Sequence, residues 1–169
     1  FEFRPRVDFV RIPGVIKLRD GNYSSRNLDM GIEEIVAMRA SIIRHIAEIF
    51  EPDIMLVDKE PLGLRGEMHD TLSMLKTKGT ALVLGLRDVM DDPKMLADEW
   101  ERKNAVPALR DLYDHIWIYG LPLICNPLEG INLSRSTERK IRYTGYLRRG
   151  EGTASMPPGI SPAILQSPY

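Results

Sequence analysis

Residues 53–67 read Asp53-Ile54-Met55-Leu56-Val57-Asp58-Lys59-Glu60-Pro61-Leu62-Gly63-Leu64-Arg65-Gly66-Glu67, and this stretch is the strongest indication of the fold. Four consecutive apolar residues between two acids are typical of a strand buried on both faces of a parallel sheet. The strand ends directly in acid, base, acid and proline, and two glycines follow that allow tight or left-handed turns. The stretch therefore predicts a buried strand over residues 53–58 and a loop over residues 59–66.

Helical patterns flank this strand on both sides in the sequence. Residues 31–50 carry apolar side chains at the three-and-four spacing of one helical face, with Asp29 as the expected N-cap. Pro52 lies just beyond and prevents the helix from continuing. Residues 67–78 show a second helical pattern, and Gly79 stands where a C-terminal glycine is expected.

The C-terminal half continues the alternation of strands and helices. Buried strands are predicted over residues 80–85 and 115–120, and a last strand over residues 141–147. Helices are predicted over residues 94–103, with Asp92 as the cap, and over residues 106–113.

The N-terminal region predicts only short elements. Residues 7–12 alternate apolar and polar side chains and predict a short strand, residues 15–18 predict a further extended segment, and residues 19–27 predict a loop. Strands that alternate with helices indicate an α/β fold with right-handed crossovers. We therefore expect a Rossmann-like parallel sheet with helices on both faces.

Length and charge restrict the possible partners. The chain has 169 residues and a net charge of −1, a length in the usual range of one domain. Since it lacks the excess of basic residues that neutralises phosphates, we expect no nucleic-acid partner. Residues 1–149 are predicted to form the Rossmann-like domain, and residues 150–169, which are rich in proline and nearly uncharged, an irregular tail.

No metal and no cofactor are predicted. The acids within residues 88–101 have no histidine or cysteine that would complete a metal site. The sequence contains neither a Walker phosphate loop nor a strand-linked Gly-x-Gly-x-x-Gly motif. The single cysteine, Cys125, cannot form an internal disulfide, and it fits a reducing, cytoplasmic compartment.

Polar residues follow three of the predicted strands, and parallel α/β sheets bind ligands at the carboxyl ends of their strands. The three clusters are residues 58–67, residues 85–88, and Tyr119 with Gly120. In one interpretation they line a ligand cleft, and the amides around Gly66 meet an anion if a helix begins near Glu67. In the other, the charged side chains form ion pairs among themselves, namely Asp58 or Glu60 with Arg65 or Lys59, and Arg87 with Asp88, or Asp58 or Glu60 caps the next helix.

Four blocks of the sequence resemble a family of predicted bacterial glycosyltransferases that are distant relatives of MurG-like enzymes. The blocks are residues 57–67, 85–93, 119–120 and 142–146, and the resemblance covers about residues 7–149. It implies the two-domain GT-B architecture. In that architecture an N-terminal Rossmann-like domain holds the acceptor, and a C-terminal domain binds the nucleotide-sugar donor.

The chain departs from the family pattern at both ends. The family begins with a strand and a glycine-rich, histidine-containing loop, and it continues into the donor domain, whereas this chain has neither segment. The resemblance therefore implies the acceptor-side part of such an enzyme, inactive without the missing segments and with no catalytic residue assigned. Its partners would be a nucleotide-sugar donor, a sugar or lipid-linked acceptor, and the missing C-terminal donor domain. The residues expected to contact the acceptor or the neighbouring domain are Asp58, Lys59, Glu60, Arg65, Gly66, Glu67, Arg87 and Asp88.

Two other functions remain open at this point: a non-catalytic α/β binding domain, and a GT-B-type nucleotide-sugar epimerase. A missing first strand would also leave an open sheet edge, which favours self-association. A basic run near the C-terminus is interpreted as a solvated face, with peripheral contact to a membrane as the alternative. The run comprises Arg135, Arg139, Lys140, Arg142, Arg148 and Arg149.

Overall fold

The computed structural model describes residues 7–18, 23–88 and 93–146. The chain divides into two compact units, and all helices and strands considered below lie in the unit Ile12–Leu147. In the other unit only residues 7–11 are described, and they form no strand, so the strand predicted over residues 7–12 is wrong. An alternating pattern forms a strand only where a second strand pairs with it. The tail predicted over residues 150–169 lies outside the described residues.

The described elements follow one another in a regular α/β order, with an antiparallel hairpin at the start. They are β1 Val15–Lys17, β2 Tyr23–Ser25, α1 Ile32–Phe50, β3 Ile54–Asp58, a 3-10 turn Leu64–Gly66, α2 His69–Thr77, β4 Ala81–Arg87, α3 Pro93–Arg102, α4 Ala105–Asp111, β5 His115–Tyr119, α5 Arg135–Glu138 and β6 Ile141–Tyr143.

The main sheet has four parallel strands in the order β3-β4-β5-β6, which confirms the predicted Rossmann-like α/β fold. β1 pairs with β2, with Val15 opposite Ser25. Residues 19–27 were predicted to be a loop, but residues 23–25 form β2. Pairing with β1 outweighs the polar composition there, because it satisfies backbone groups that composition does not report.

One face of the sheet meets the helices. The core contains alternate residues of β4 and β5 together with side chains of the described helices. Right-handed connections between strands in consecutive order place their helices on the same face. Helices were expected on both faces, and those that the structure describes cover one. The fully buried side chains of this core are Leu72, Leu75, Leu82, Leu84, Leu86, Leu109, Tyr113, Ile116 and Ile118.

β3 is an edge strand, and this corrects one expectation. Ile54 is 61% exposed and Leu56 is 43% exposed, while Val57 is buried. β3 pairs with β4 alone, and no described helix lies over the side chains of Ile54 and Leu56. Burial of β3 on both faces is therefore wrong, whereas β4 is buried over residues 82–86 as predicted.

The helix ends differ from the predicted ones by a few residues. Gly31, not Asp29, precedes α1, and its amide donates to the Glu34 carboxylate at 2.9 Å. α2 begins at His69 rather than at Glu67, because the 3-10 turn occupies residues 64–66. Gly79 has a φ of 86° and follows α2, as predicted. The predicted cap of α3, Asp92, lies outside the described residues.

Two members of the basic run have structural roles. Lys140 Nζ donates to the carbonyls of Leu109, Arg110 and Tyr113 at 3.2, 2.6 and 2.7 Å, and so satisfies the C-terminal end of α4. Arg142 Nη1 donates to the carbonyl of Arg139 at 2.8 Å. Among the described helices, none has the length and apolar composition needed to cross a bilayer.

Asp114 ties α2 to the sheet and makes stability depend on pH. Its carboxylate accepts from the Leu82 amide at 2.9 Å and from Lys76 Nζ at 3.0 Å. Desolvation works to raise the pKa of Asp114, but the Leu82 amide and the Lys76 ammonium outweigh it, so this pKa lies below its usual 3.8. A lowered pKa in the folded state contributes stability above pH 3.8 that is lost as the pH falls through the folded-state value.

We therefore expect the Asp114→Asn variant to lose less stability than the parent protein when the pH is lowered below 3.8. The measurement is chemical unfolding followed by circular dichroism at a series of pH values. Asp98→Asn is a suitable control, because the Asp98 side chain is exposed. Parallel pH profiles for the parent and Asp114→Asn would contradict the assignment.

Candidate functional site

A cleft with a volume of about 740 Å³ lies at the carboxyl end of β3. α1, the loop after β3, and the segment between α3 and α4 enclose it. Its apolar lining residues are Ile12, Tyr23, Ile43, Val57, Pro61, Leu62, Leu64, Met68 and Ala105. Its charged lining residues are Arg39, Asp58, Glu60, Arg65, Glu67, Arg102 and Lys103.

The loop after β3 has a fixed shape. Gly63 has a φ of 68° and a ψ of −163°, a backbone region that is essentially restricted to glycine. The Gly63 amide donates to the Glu60 carbonyl at 2.9 Å. The hydroxyl of Tyr113 donates to the Pro61 carbonyl at 2.5 Å, and burial raises the pKa of Tyr113, which keeps it a neutral donor. The hydrogen bond from Tyr113, a core residue, therefore attaches the loop to the core.

A buried ion pair joins this loop to α1. Arg39 Nε and Nη2 donate to the two carboxylate oxygens of Glu67 at 2.6 and 2.7 Å, and Arg39 Nη1 donates to the Pro13 carbonyl at 2.6 Å. The Glu67 carboxylate also accepts from the Leu64 amide at 3.2 Å. The hydrogen bond to Glu67 raises the pKa of Arg39. The Glu67 side chain is thus fixed between α1 and the loop.

The amides around Gly66 were predicted to meet an anion, and the hydrogen bonds of the loop show how the amides that follow Gly66 are used. The Glu67 amide donates to the Leu64 carbonyl at 3.1 Å, and the Met68 amide donates to the Leu62 carbonyl at 3.0 Å. Both amides that follow Gly66 are therefore used within the loop. The negative charge at this turn is supplied by the Glu67 carboxylate, which a phosphate would have to displace.

The charged rim of the cleft is paired between elements rather than within the loop. Lys103 Nζ lies 2.8 Å from a Glu60 oxygen and 2.6 Å from a Glu99 oxygen. Desolvation works to lower the pKa of Lys103, but the hydrogen bonds to the two carboxylates outweigh it and the pKa is raised. Arg65 pairs with Glu33 of α1 at 2.9 Å. Arg65 is therefore not paired with Asp58 or Glu60, as one of the expected arrangements had it.

A second group of predicted residues lies on the other face of the sheet. Strand register places Asp58, Gly85, Arg87 and Tyr119 on the face opposite the helical core. Arg87 Nη2 lies 4.0 Å from an Asp58 oxygen. Gly85 is required here, because a Cβ atom at this position would collide with the phenol ring of Tyr119. Burial and the negative charge of Asp58 raise the pKa of Tyr119.

Asp88 directly follows β4, at the same end of the sheet as Arg87 and Tyr119. Its side chain packs against Gly120, where a Cβ atom would collide with it, and its carboxylate accepts from the Tyr146 hydroxyl at 2.6 Å. That hydrogen bond raises the pKa of Tyr146. Lys59 adopts a φ of 66°, and its amide donates to the Gly85 carbonyl at 2.8 Å.

The structure therefore separates the predicted site residues. Glu60, Arg65, Gly66 and Glu67 line the cleft, Asp58 lies at its rim, and Arg87 and Asp88 do not line it. The sequence analysis missed two residues, Arg39 and Lys103. Arg39 had a signal, since it stands in the apolar stripe of α1 four residues from both Ile35 and Ile43, where a charge is unusual. Lys103 had none.

The described residues include no group of three or more histidine, cysteine, aspartate or glutamate side chains placed to hold a metal ion. The fold and the site define a parallel α/β domain with an apolar, charge-rimmed cleft at the end of its edge strand. Comparison of the chain with protein-family models, with curated proteins and with solved structures finds no match.

Proposed function

We propose that this domain is the acceptor-binding part of a glycosyltransferase, which transfers a sugar from a nucleotide-sugar donor to an acceptor hydroxyl. The observation that carries the proposal is the cleft of about 740 Å³ after β3. Its position is where parallel α/β sheets bind ligands. Its size and its mixture of an apolar floor with a few convergent polar groups are typical of small-molecule sites. The four sequence blocks that resemble glycosyltransferases add to this support.

The chemistry of the lining suits a sugar attached to an apolar group. Carboxylates such as Asp58 and Glu60 accept hydrogen bonds from hydroxyls, and Arg65 and Lys103 donate to ring and hydroxyl oxygens. The apolar floor formed by residues such as Leu62, Leu64 and Met68 covers aliphatic surface. The ion pairs to Arg39 and Lys103 fix the loop before a ligand arrives, which lowers the entropic cost of binding.

The ion pairs also limit which carboxylates can act chemically. A transferase needs a base for the acceptor hydroxyl and groups that stabilise the leaving diphosphate. Glu60 and Glu67 each pair with a cation at hydrogen-bonding distance, so we assign them to binding and positioning. In the proposal, a second domain binds the donor, and this domain alone binds acceptor without transferring sugar. A lipid-linked acceptor would bring a cytoplasmic domain of this kind to a membrane surface.

Binding of octyl glycosides tests the proposal. In two-dimensional amide NMR we expect octyl β-glucoside or its galactose or N-acetylglucosamine analogues, below their micelle concentrations, to shift the amides of Leu62, Gly63 and Leu64. Glu60→Gln should weaken binding about tenfold, the loss of one charge-assisted hydrogen bond. Glu129→Gln changes an exposed carboxylate outside the cleft and should have no effect.

The alternative functions give different results in the same experiment. A nucleotide-sugar epimerase needs no acceptor, so a nucleotide sugar alone would shift the loop amides and the glycosides would not. A non-catalytic binding domain for another ligand would leave these amides unshifted by either probe. Either result, or equal affinities of Glu60→Gln and Glu129→Gln, would refute the proposed function.

A further inference from the structure

The cleft after β3 has an aromatic residue on the side where the β1–β2 hairpin contacts α1. Among the described residues that line the cleft, Tyr23 alone is aromatic. Its side chain is half-buried, yet it does not belong to the hydrophobic core of the described residues. The ring of Tyr23 is therefore a surface of the cleft rather than a part of the core.

Hydrogen bonds hold the hairpin that carries Tyr23. Tyr23 lies in β2, which pairs with β1. Arg39 of α1 donates to the Pro13 carbonyl at 2.6 Å, and the same guanidinium binds the Glu67 carboxylate at the end of the loop. The hairpin is thus attached through α1 to the loop after β3. Because the ring is positioned before a ligand arrives, little entropy is lost on placing it.

The polar groups of the cleft lie on other elements. Lys103 follows α3, Glu60 lies in the loop after β3, and the two side chains pair at 2.8 Å. A pyranose ring carries hydroxyls around its rim, which bind carboxylates and ammonium groups, and C–H bonds on its faces. Those C–H bonds favour the negatively charged face of an aromatic ring. The cleft offers a surface for each part of such a ring.

We propose that Tyr23 is the stacking platform for the sugar ring of the acceptor, and that it makes the cleft select cyclic sugars over open-chain polyols. This inference rests on the proposed function and places the sugar ring within the same cleft. The ring lies against Tyr23 with its hydroxyls toward Glu60 and Lys103, and the attached apolar group lies on the aliphatic floor. An open-chain polyol has similar hydroxyls but no flat face of C–H bonds, so it gains nothing from the phenol ring.

Two probes with alkyl chains of similar length test the selection. They are octyl β-glucoside and octanoyl-N-methylglucamide, whose head group is an open-chain polyol, each titrated below its micelle concentration by amide NMR. Tyr23→Leu should weaken binding of the glucoside about tenfold, the scale of one aromatic contact, and leave binding of the glucamide unchanged. Tyr23→Phe keeps the ring and should bind the glucoside like the parent protein. Tyr146→Leu removes a tyrosine that is 54% exposed and outside the cleft, and should alter neither affinity.

Saturation-transfer NMR on the parent protein tests the contact without any variant. At short saturation times, irradiation of the aromatic protons should reach the sugar-ring protons of octyl β-glucoside more strongly than its alkyl protons. The transfer to the sugar ring should persist in Tyr23→Phe and be lost in Tyr23→Leu. Circular dichroism verifies that the variants are folded.

The outcomes separate this inference from the proposed function. If the glucoside shifts the loop amides, but Tyr23→Leu weakens both probes equally or weakens neither, Tyr23 is not the platform and the proposed function stands. Stronger saturation transfer to the alkyl protons than to the sugar ring would have the same meaning. If the glucoside shifts none of the loop amides, both proposals fail.

Discussion

The Glu67→Ala substitution should lower the free energy of unfolding by about 3 kcal/mol, because it leaves the guanidinium of Arg39 largely buried without its carboxylate. For a chain of this length that corresponds to a decrease in Tm of roughly 10 °C. Glu67 is 7% exposed and accepts hydrogen bonds from α1 and from the Leu64 amide, so its loss also frees the loop. Denaturant unfolding followed by circular dichroism measures the change.

Two further variants separate the ion pair from other effects. Glu33→Ala removes an exposed carboxylate that pairs with Arg65, and it should change stability by less than about 1 kcal/mol. The double variant Arg39→Met, Glu67→Leu should recover much of the loss, since it leaves no unpaired buried charge. Equal effects of Glu67→Ala and Glu33→Ala would show that the buried pair is not what holds the loop.

The Gly63→Ala substitution should destabilise the protein by about 3 kcal/mol through backbone strain and a steric clash. Gly63 lies in a backbone region that residues with a Cβ avoid, and a Cβ there would collide with the Met68 side chain. Because Gly63 shapes the cleft, glycoside binding should weaken along with stability.

Gly66→Ala is the matched control in the same loop. Gly66 has a φ of 85°, but a Cβ on it would meet nothing within 4 Å. We expect it to cost about 1 kcal/mol, the strain of a left-handed backbone alone. Thermal unfolding of the two variants side by side gives the comparison, and equal losses would mean that the space around Gly63 is not restrictive.

Local patterns were sufficient for most of the fold. α1 followed from the spacing of its apolar residues, and β4 from an uninterrupted apolar run that is buried as predicted. The exposure of β3 could not be predicted from its sequence, because its run of residues is as apolar as that of β4. Which strand lies at the edge of the sheet depends on the order in which the strands pair. The strand of residues 23–25 was missed because three residues carry too short a pattern.

The sequence predicted which loop forms the candidate site, but not which residues elsewhere in the chain form ion pairs with that loop. The loop after β3 does line a cleft, as its position after a strand indicated. Its ion pairs, however, connect Glu67 with Arg39 and Glu60 with Lys103, which lie 28 and 43 residues apart in the chain. A sequence suggests pairs between near neighbours, and contacts of this separation arise only when helices and strands pack together.

The consecutive order of the four parallel strands has a consequence for how the chain folds. β4, β5 and β6 each pair with the strand that precedes them along the chain, so each new strand and its helices can add to a sheet that already exists. Loop-closure entropy is then lost in short steps instead of one long one. During synthesis β3 emerges before the other described strands of this sheet, so a pairing partner for β4 is already present when β4 follows.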